Sequence, residues 1–439
     1  MLDKIKVPYA RFFDPASTII ACEHLLNSRY VPDTVIARDE QMEVIGHNLS
    51  AILRQGEPSN MYIWGDTGVG KTITVKYLLR VLTEGLKAED KDILIETVVI
   101  DCTAFFSEIP ACVEILTQLT GISMQTGRQF YQYLNDIWSV IDKKAHEHTF
   151  YTLILFFDEI DAFVSSDSIL YQFSRALAHQ KIKSSNVAIE IITASNQKDF
   201  LDTLNNKVQS SARFRYCNFP DYNEKELYEI LQLRKDAFTD GVISDDVIFY
   251  CAKNVADRYH GDARRAIDIL AEAARIVIQT KGSKITNEHI DMAEKVVNDR
   301  VTIDMLKKMS LHDKYLILSV YIANNVVRQT NSKSPAHSGV IVVTYRKICE
   351  LLQQKPNGET YISTRLTALS VRQLINAEYQ EGRGNIRYIT LPNDIEAVIE
   401  TLFQIQDIET IKNNYTDVES VILSKLKRPL SRSTKLDFL

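Results

Sequence analysis

The sequence predicts a three-layer α/β protein on a mostly parallel sheet, followed by a helical bundle and a basic module of three helices and a hairpin. Three observations carry this. Short apolar strands alternate with helical stretches between residues 59 and 195. From about 222 the strand signal stops and amphipathic helices take over. Residues 306–392 hold twelve Lys and Arg against five Asp and Glu, a formal +7 in a chain whose net charge is −6.

The first strand is 59–64, SNMYIW, short enough to be buried. TITVKYLLRVL follows with helical spacing at Val75, Leu78, Leu79 and Leu82. ILIETVVID (93–101), YTLILFF (151–157) and VAIEIITAS (187–195) are the second to fourth strands. NEKELYEILQLRKDAF and ARRAIDILAEAARIVIQ are amphipathic helices of the bundle. Helices are expected near 311–327, 344–353 and 363–377, with a polar loop at 328–339 and a hairpin over 381–391. The domain limits expected are an N-terminal extension 1–28, an α/β core 29–221, a helical bundle 222–305, a module of helices and hairpin 306–415 and a basic tail 416–439. There is no internal repeat.

Composition narrows the function. At 45% hydrophobic and 25% charged the chain is ordinary for a globular protein. No run of eighteen apolar residues is present, so no membrane span is expected, and MLDKIKVPYARFF does not read as a secretory signal. Six cysteines are scattered without a C-x-x-C, which argues for reduced thiols in a cytoplasmic protein. The histidines show no ligand spacing, so no metal beyond Mg²⁺ is expected.

Residues 64–72, WGDTGVGKT, sit between the first strand and the first helix and fit Gly65-x-x-x-x-Gly70-Lys71-Thr72. The loop, Gly65, Asp66, Thr67, Gly68, Val69, Gly70, Lys71 and Thr72, is expected to bind the phosphates of ATP or ADP. Its glycines let successive N–H groups turn inward toward oxygen, and the helix that follows presents its positive end. Lys71 should reach the β- and γ-phosphates and Thr72 should ligate Mg²⁺. At the end of LILFFDEID, Asp158 is placed to hold Mg²⁺ and Glu159 to orient and deprotonate water. Asn196 ends the fourth strand, where its amide can bond the γ-phosphate or the water. Arg264 opens a bundle helix in HGDARRAIDIL, with Arg265 as the neighbouring candidate for a cation reaching back to the γ-phosphate.

Taken together, YVPDTVIARDEQMEVI (30–45), SNMYIWGDTGVGKT, LILFFDEID, LYQFSRA, TASN, FPDY and YHGDARRAIDIL resemble the archaeal origin-recognition and cell-division-control initiator family of AAA+ ATPases. The resemblance spans about 30 to 392 in the family's order. It implies an AAA+ core, a helical lid and a winged-helix domain. It puts Arg38 in the segment near the adenine and Tyr222 at the nucleotide, and it makes Asp158 and Glu159 the Walker B pair, Asn196 sensor one and Arg264 sensor two. It also implies double-stranded origin DNA and the replicative MCM helicase as partners, self-association on DNA, and a nucleoid-associated location. Two departures stand out. Asp66 replaces a usual proline. Lys207 stands where the family has a trans-acting arginine, and lysine lacks the planar fork that clamps a phosphate; Arg213 or Arg215 is the substitute.

The basic module reads as a winged helix-turn-helix. On a helix of 100° per residue Thr364, Arg365, Ala368, Arg372 and Asn376 share an arc of roughly 120°. Leu366, Leu369 and Leu374 lie opposite, and Ile375 breaks the division. The DNA-binding residues expected are Thr364, Arg365 and Arg372 in the major groove, with Arg383 and Arg387 on the wing. The family's second DNA contact, an insertion after the second strand, falls in 103–121, where packing is the better expectation. The reading is an initiator whose slow ATP hydrolysis acts as a switch. A clamp-loader-like remodelling ATPase and an ATP switch whose winged helix docks protein are the alternatives.

Overall fold

The computed structural model describes residues 19–27, 30–88, 92–105, 107–163, 166–330, 334–371, 374–380, 386–392, 395, 399, 410–411 and 413–426. The chain divides into two compact units, Met1–Ala293 and Glu294–Leu439. The division falls inside one continuous helix, ahead of the limit expected at 305.

In the first unit the order is α1 (Asp39–Leu49), β1 (Met61–Trp64), α2 (Lys71–Ala88), β2 (Ile93–Asp101), α3 (Glu108–Thr120), α4 (Phe130–Glu147), β3 (Phe150–Asp158), α5 (Ser166–Ser174), β4 (Val187–Ser195), α6 (Phe200–Thr203), α7 (Asn206–Ala212), β5 (Arg215–Asn218), α8 (Glu224–Gln232), α9 (Asp245–Arg258) and α10 (Ala263–Gln279). α11 (Asn287–Lys308) follows. The sheet is parallel, in the order β2-β3-β4-β1-β5. β3 and β4 are buried along nearly their whole length, which explains their unbroken apolar runs. Their side chains alternate between two cores. Leu153, Leu155 and Phe157 join Ile189 and Ile191 against α3, α4 and α5. Ile154, Phe156, Ile192 and Ala194 face the other way, with Ile45, Leu49 and Val75 of α1 and α2. α3 buries Ala111, Cys112, Ile115, Leu116 and Leu119, so packing accounts for this segment. All six cysteines are free; five are buried and only Cys22 is partly exposed.

A carboxyl group is buried in the sheet itself. Glu190 on β4 is fully buried and accepts from Asn48 of α1 at 2.8 Å. Burial pushes its carboxyl up to about 8. Asn48 also donates to Ser59 O at 2.7 Å, so the pair ties α1 to the start of β1.

The second unit holds α12 (Leu311–Gln329), α13 (Ser338–Leu351), α14 (Glu359–Val371), β6 (Asn376–Gln380), β7 (Ile386–Thr390) and α15 (Tyr415–Leu426). β6 and β7 pair antiparallel. Three expectations need correction. α13 starts at Ser338, inside the expected loop, because His337 accepts from Gly339 N and the Val340 and Ile341 side chains are buried. The third helix runs over 359–371, not 363–377. It is closed by Leu374 N donating to Leu369 O, and Leu374 and Ile375 turn into the core. Asn376 therefore begins a strand and does not share a helix face with Thr364. Arg372, Arg383 and the tail beyond 426 lie outside the described residues.

Candidate functional site

The loop after β1 is shaped by glycine where a side chain has no room. Gly68 has φ 77°, and a Cβ there would lie 1.8 Å from the Asp262 carboxylate. Gly70 has φ 91°, and its Cβ would lie 2.5 Å from the Tyr222 hydroxyl. Val69 between them is buried among the α1 and α2 side chains, which fixes the loop to the core. Asp66 and Thr67 are exposed at the loop tip.

Lys71 opens α2 and is buried. Its ammonium donates to Gly65 O at 2.6 Å, Asp66 O at 2.7 Å and Asn196 Oδ1 at 2.9 Å. Burial lowers its pKa, against the pull of Asp158, Asp161, Asp66 and Glu159. Thr72 Oγ1 donates to Asp158 Oδ2 at 2.7 Å. The end of β3 and the start of β4's following turn are thus joined to the loop by side-chain bonds. Asn196 N also donates to Asp161 Oδ1 at 3.3 Å.

Glu159 follows β3 in the left-handed region, φ 54°. Its carboxyl is held above the usual range by burial, then by Asp158 and Asp101, and Arg264 opposes the shift. Arg264 is exposed on the first turn of α10. Arg265 instead lies 4.2 Å over the Tyr259 ring. The geometry thus gives Arg264 and the neighbouring candidate Arg265 different surroundings. α10 itself touches the loop: Ala263 N donates to Gly68 O at 3.3 Å, and Asp262 caps the helix by accepting from Arg265 N at 3.1 Å.

Arg38, expected in the segment near the adenine, is bonded to the backbone of the loop and of the chain before Tyr222. Its guanidinium is 2% exposed and spends its donors on backbone: Val69 O at 2.9 Å, Ala37 O at 2.9 Å and Pro220 O at 2.7 Å. It lies 3.5 Å over the Tyr222 ring. Gln41, one turn on, donates to Asn218 O at 3.0 Å. The first turn of α1 therefore brackets both the phosphate loop and the chain leading to Tyr222. Sequence reasoning missed this because every acceptor is a main-chain carbonyl.

Among the described residues no group of three His, Cys, Asp or Glu could hold a metal alone. A threonine hydroxyl bonded to a carboxylate, with Glu159 and Asp161 close by, is a hard-oxygen donor set. It suits Mg²⁺ that completes its shell with phosphate oxygens. Lys207, Arg213 and Arg215 are all exposed, Arg215 on β5, an edge strand of the sheet.

On α14, Thr364 is exposed and its hydroxyl donates to Thr360 O at 2.9 Å. Arg365 does not project freely. Its Nε donates to Asp313 Oδ1 at 2.7 Å and Nη2 to Asp313 Oδ2, and Asp313 is buried in the first turn of α12. That is a bidentate pair with a desolvated carboxylate, so the guanidinium proposed to face DNA is anchored within its own unit. Arg387 on β7 reaches α14, donating to Thr367 Oγ1 and to Leu366 O, each at 3.2 Å.

Residues 54–183 match the AAA domain family and residues 228–295 the Cdc6 AAA+ ATPase-type lid domain. The chain is 30% identical over 410 residues to an ORC1-type DNA replication protein of Pyrococcus abyssi, covering 90% of this chain and 93% of that protein. It is 29% identical over 410 residues to the corresponding protein of Thermococcus onnurineus, covering 90% and 94%. In structure it resembles the Aeropyrum pernix ORC1 protein solved in complex with DNA, with TM-score 0.74, 23% identity, and 90% and 99% of the two chains covered.

Proposed function

The chain belongs to the ORC1-type family of DNA replication proteins, and on that premise we propose that its nucleotide site is a switch controlling its grip on duplex origin DNA. It is a nucleotide-binding replication initiator of the AAA+ ATPase class with a Cdc6-type lid. The observation that carries the switch reading is the contact of α10 with the loop: Ala263 and Asp262 rest on Gly68, and the next residue, Arg264, acts on Glu159. Whatever occupies the loop is felt by the lid.

The residues divide the work. The loop N–H groups and the start of α2 receive the phosphates. Lys71 exchanges loop carbonyls for phosphate oxygens, a charge-assisted bond. Thr72 and Asp158 would hold Mg²⁺, which supplies charge neutralisation on the phosphates when bound. Glu159, with its raised pKa, is the base for the attacking water, and Asn196 orients it. Arg264 meets the γ-phosphate from the lid, so the lid registers hydrolysis. Lys207 in place of a trans arginine fits slow turnover.

DNA contact is proposed for the second unit, through Thr364 and the residues around it, with Arg372 and Arg383 kept as candidates. Recruitment of the MCM helicase, self-association on DNA and a nucleoid location complete the reading. The test is Lys71→Ala, measured with a fluorescent adenine nucleotide and with duplex DNA across a salt series. Nucleotide affinity should fall by roughly a hundredfold, and DNA binding should lose its nucleotide dependence. Undiminished ATP affinity contradicts the site, and a salt slope near zero removes the DNA reading.

A further inference from the structure

The lid and the core are joined by more than the chain through Tyr222. Residues 19–22 attach to the lid side. Ala21 N and Cys22 N both donate to Ala237 O, at 2.8 and 3.1 Å, and Thr239 N donates to Ile19 O at 3.0 Å. Ile20 and Phe238 form an antiparallel bridge. The Arg234 guanidinium, just after α8, lies 5.0 Å over the Tyr30 ring.

Two residues later the chain is attached to the core. Arg80 of α2 donates to Pro32 O at 3.0 Å and pairs with Asp33 at 3.6 Å. Arg38 and Gln41 then bind Val69 O, Pro220 O and Asn218 O. The segment from Tyr30 to Arg38 therefore crosses from lid to core, beside the crossing at 218–222. Arg38 is bonded to both.

Arg234 is the unusual member. It is 3% exposed, and among the described residues its Nε and Nη1 have no hydrogen-bond partner. A buried guanidinium with unmet N–H groups is costly, and an apolar side chain would pack the strap at less cost. A π face holds a cation by attraction that changes gradually with angle, so this contact biases the lid without locking it.

We propose that Tyr30 and Arg234 are positioning residues: they fasten residues 30–38 to the lid as a second hinge strand and thereby set how α10 and Arg264 meet the phosphate loop. The purpose assigned to this strand rests on the nucleotide-switch reading; its existence does not.

The test measures the distance between probes installed as non-natural amino acids at exposed Glu84 on α2 and exposed Lys253 on α9 of the full chain. Wild type, Tyr30→Phe, Tyr30→Leu and Arg234→Met are compared with and without ATP. Tyr30→Phe keeps the ring and should match wild type. Tyr30→Leu and Arg234→Met should broaden the distance distribution, shifting lid populations by roughly fivefold to thirtyfold, while nucleotide affinity moves less than about threefold. Tyr30→Leu keeps an apolar side chain at the position while removing the ring, and its melting curve separates a lost fold from a loosened lid. Leu and Met variants as narrow as wild type overturn the proposal, as does a Phe variant as broad as the Leu one. Broadening without any ATP shift in wild type upholds the hinge strand and sinks the switch instead.

Discussion

The phosphate loop and the α14 face were both read from residue type and spacing, and the structure treats them differently. At the loop, Lys71, Thr72, Asp158 and Asn196 converge as the motif implies. On α14, the arginine at the centre of the expected reading face is folded back onto a buried carboxylate. The loop's chemistry is set by the backbone, and glycine, lysine and threonine at fixed offsets leave little freedom. A helix face states only which way a side chain starts out, and a partner far along the chain decides where it ends.

The largest test of the contrast is Gly68→Ala. A methyl group 1.8 Å from the Asp262 carboxylate, at φ 77°, must push α10 off the loop. The expected cost is about 3 kcal/mol in chemical denaturation. A neutral result would mean that the lid does not rest on the loop. Next is Arg365→Met. It leaves the buried Asp313 carboxylate without its bidentate partner and should cost about 2–3 kcal/mol, with much of the loss restored by adding Asp313→Asn. If DNA affinity falls and the denaturation midpoint stays put, Arg365 is a reader after all and the contrast breaks.

These cases also show where sequence stops being informative. Apolar strands ending in Asp158-Glu159 and Asn196 could be read because β3 and β4 are buried on both faces. β5, four residues with one buried position, left no such mark. The bracket built by Arg38 was hidden because its acceptors, Val69 O and Pro220 O, lie 31 and 182 residues away and carry no side-chain signature. Asp313 is 52 residues from Arg365. The misfit of Ile375 on the helical arc was a legible warning: the helix had already ended, and Ile375 is buried in the turn.

A smaller effect sharpens the comparison from the sheet side. Glu190 carries a carboxyl pushed up to about 8 in the folded state. Its stabilisation is complete at pH below the ordinary glutamate range. It is lost as pH rises toward 8, because the unfolded chain gives up the proton first. Stability should fall by about 2 kcal/mol between pH 6 and 7.5, and Glu190→Gln should flatten that slope in urea titrations at each pH. A slope unchanged in the variant assigns the effect elsewhere. The smallest effect is Thr364→Ala, whose hydroxyl serves only the local Thr360 carbonyl among its described bonds. Stability should move by less than about 0.5 kcal/mol, so any loss of duplex affinity reads as a lost contact.

The cysteines give the chain a built-in reporter. Five thiols are sealed inside, with burial pushing Cys112 up to about 12 and Cys217 to about 11, while Cys22 is the partly exposed sixth. An alkylating dye added to the native protein will therefore mark a single position, and that position is where the strap docks against Ala237. Labelling speed at one natural atom can follow the docking in real time, with no substitution anywhere in the sequence.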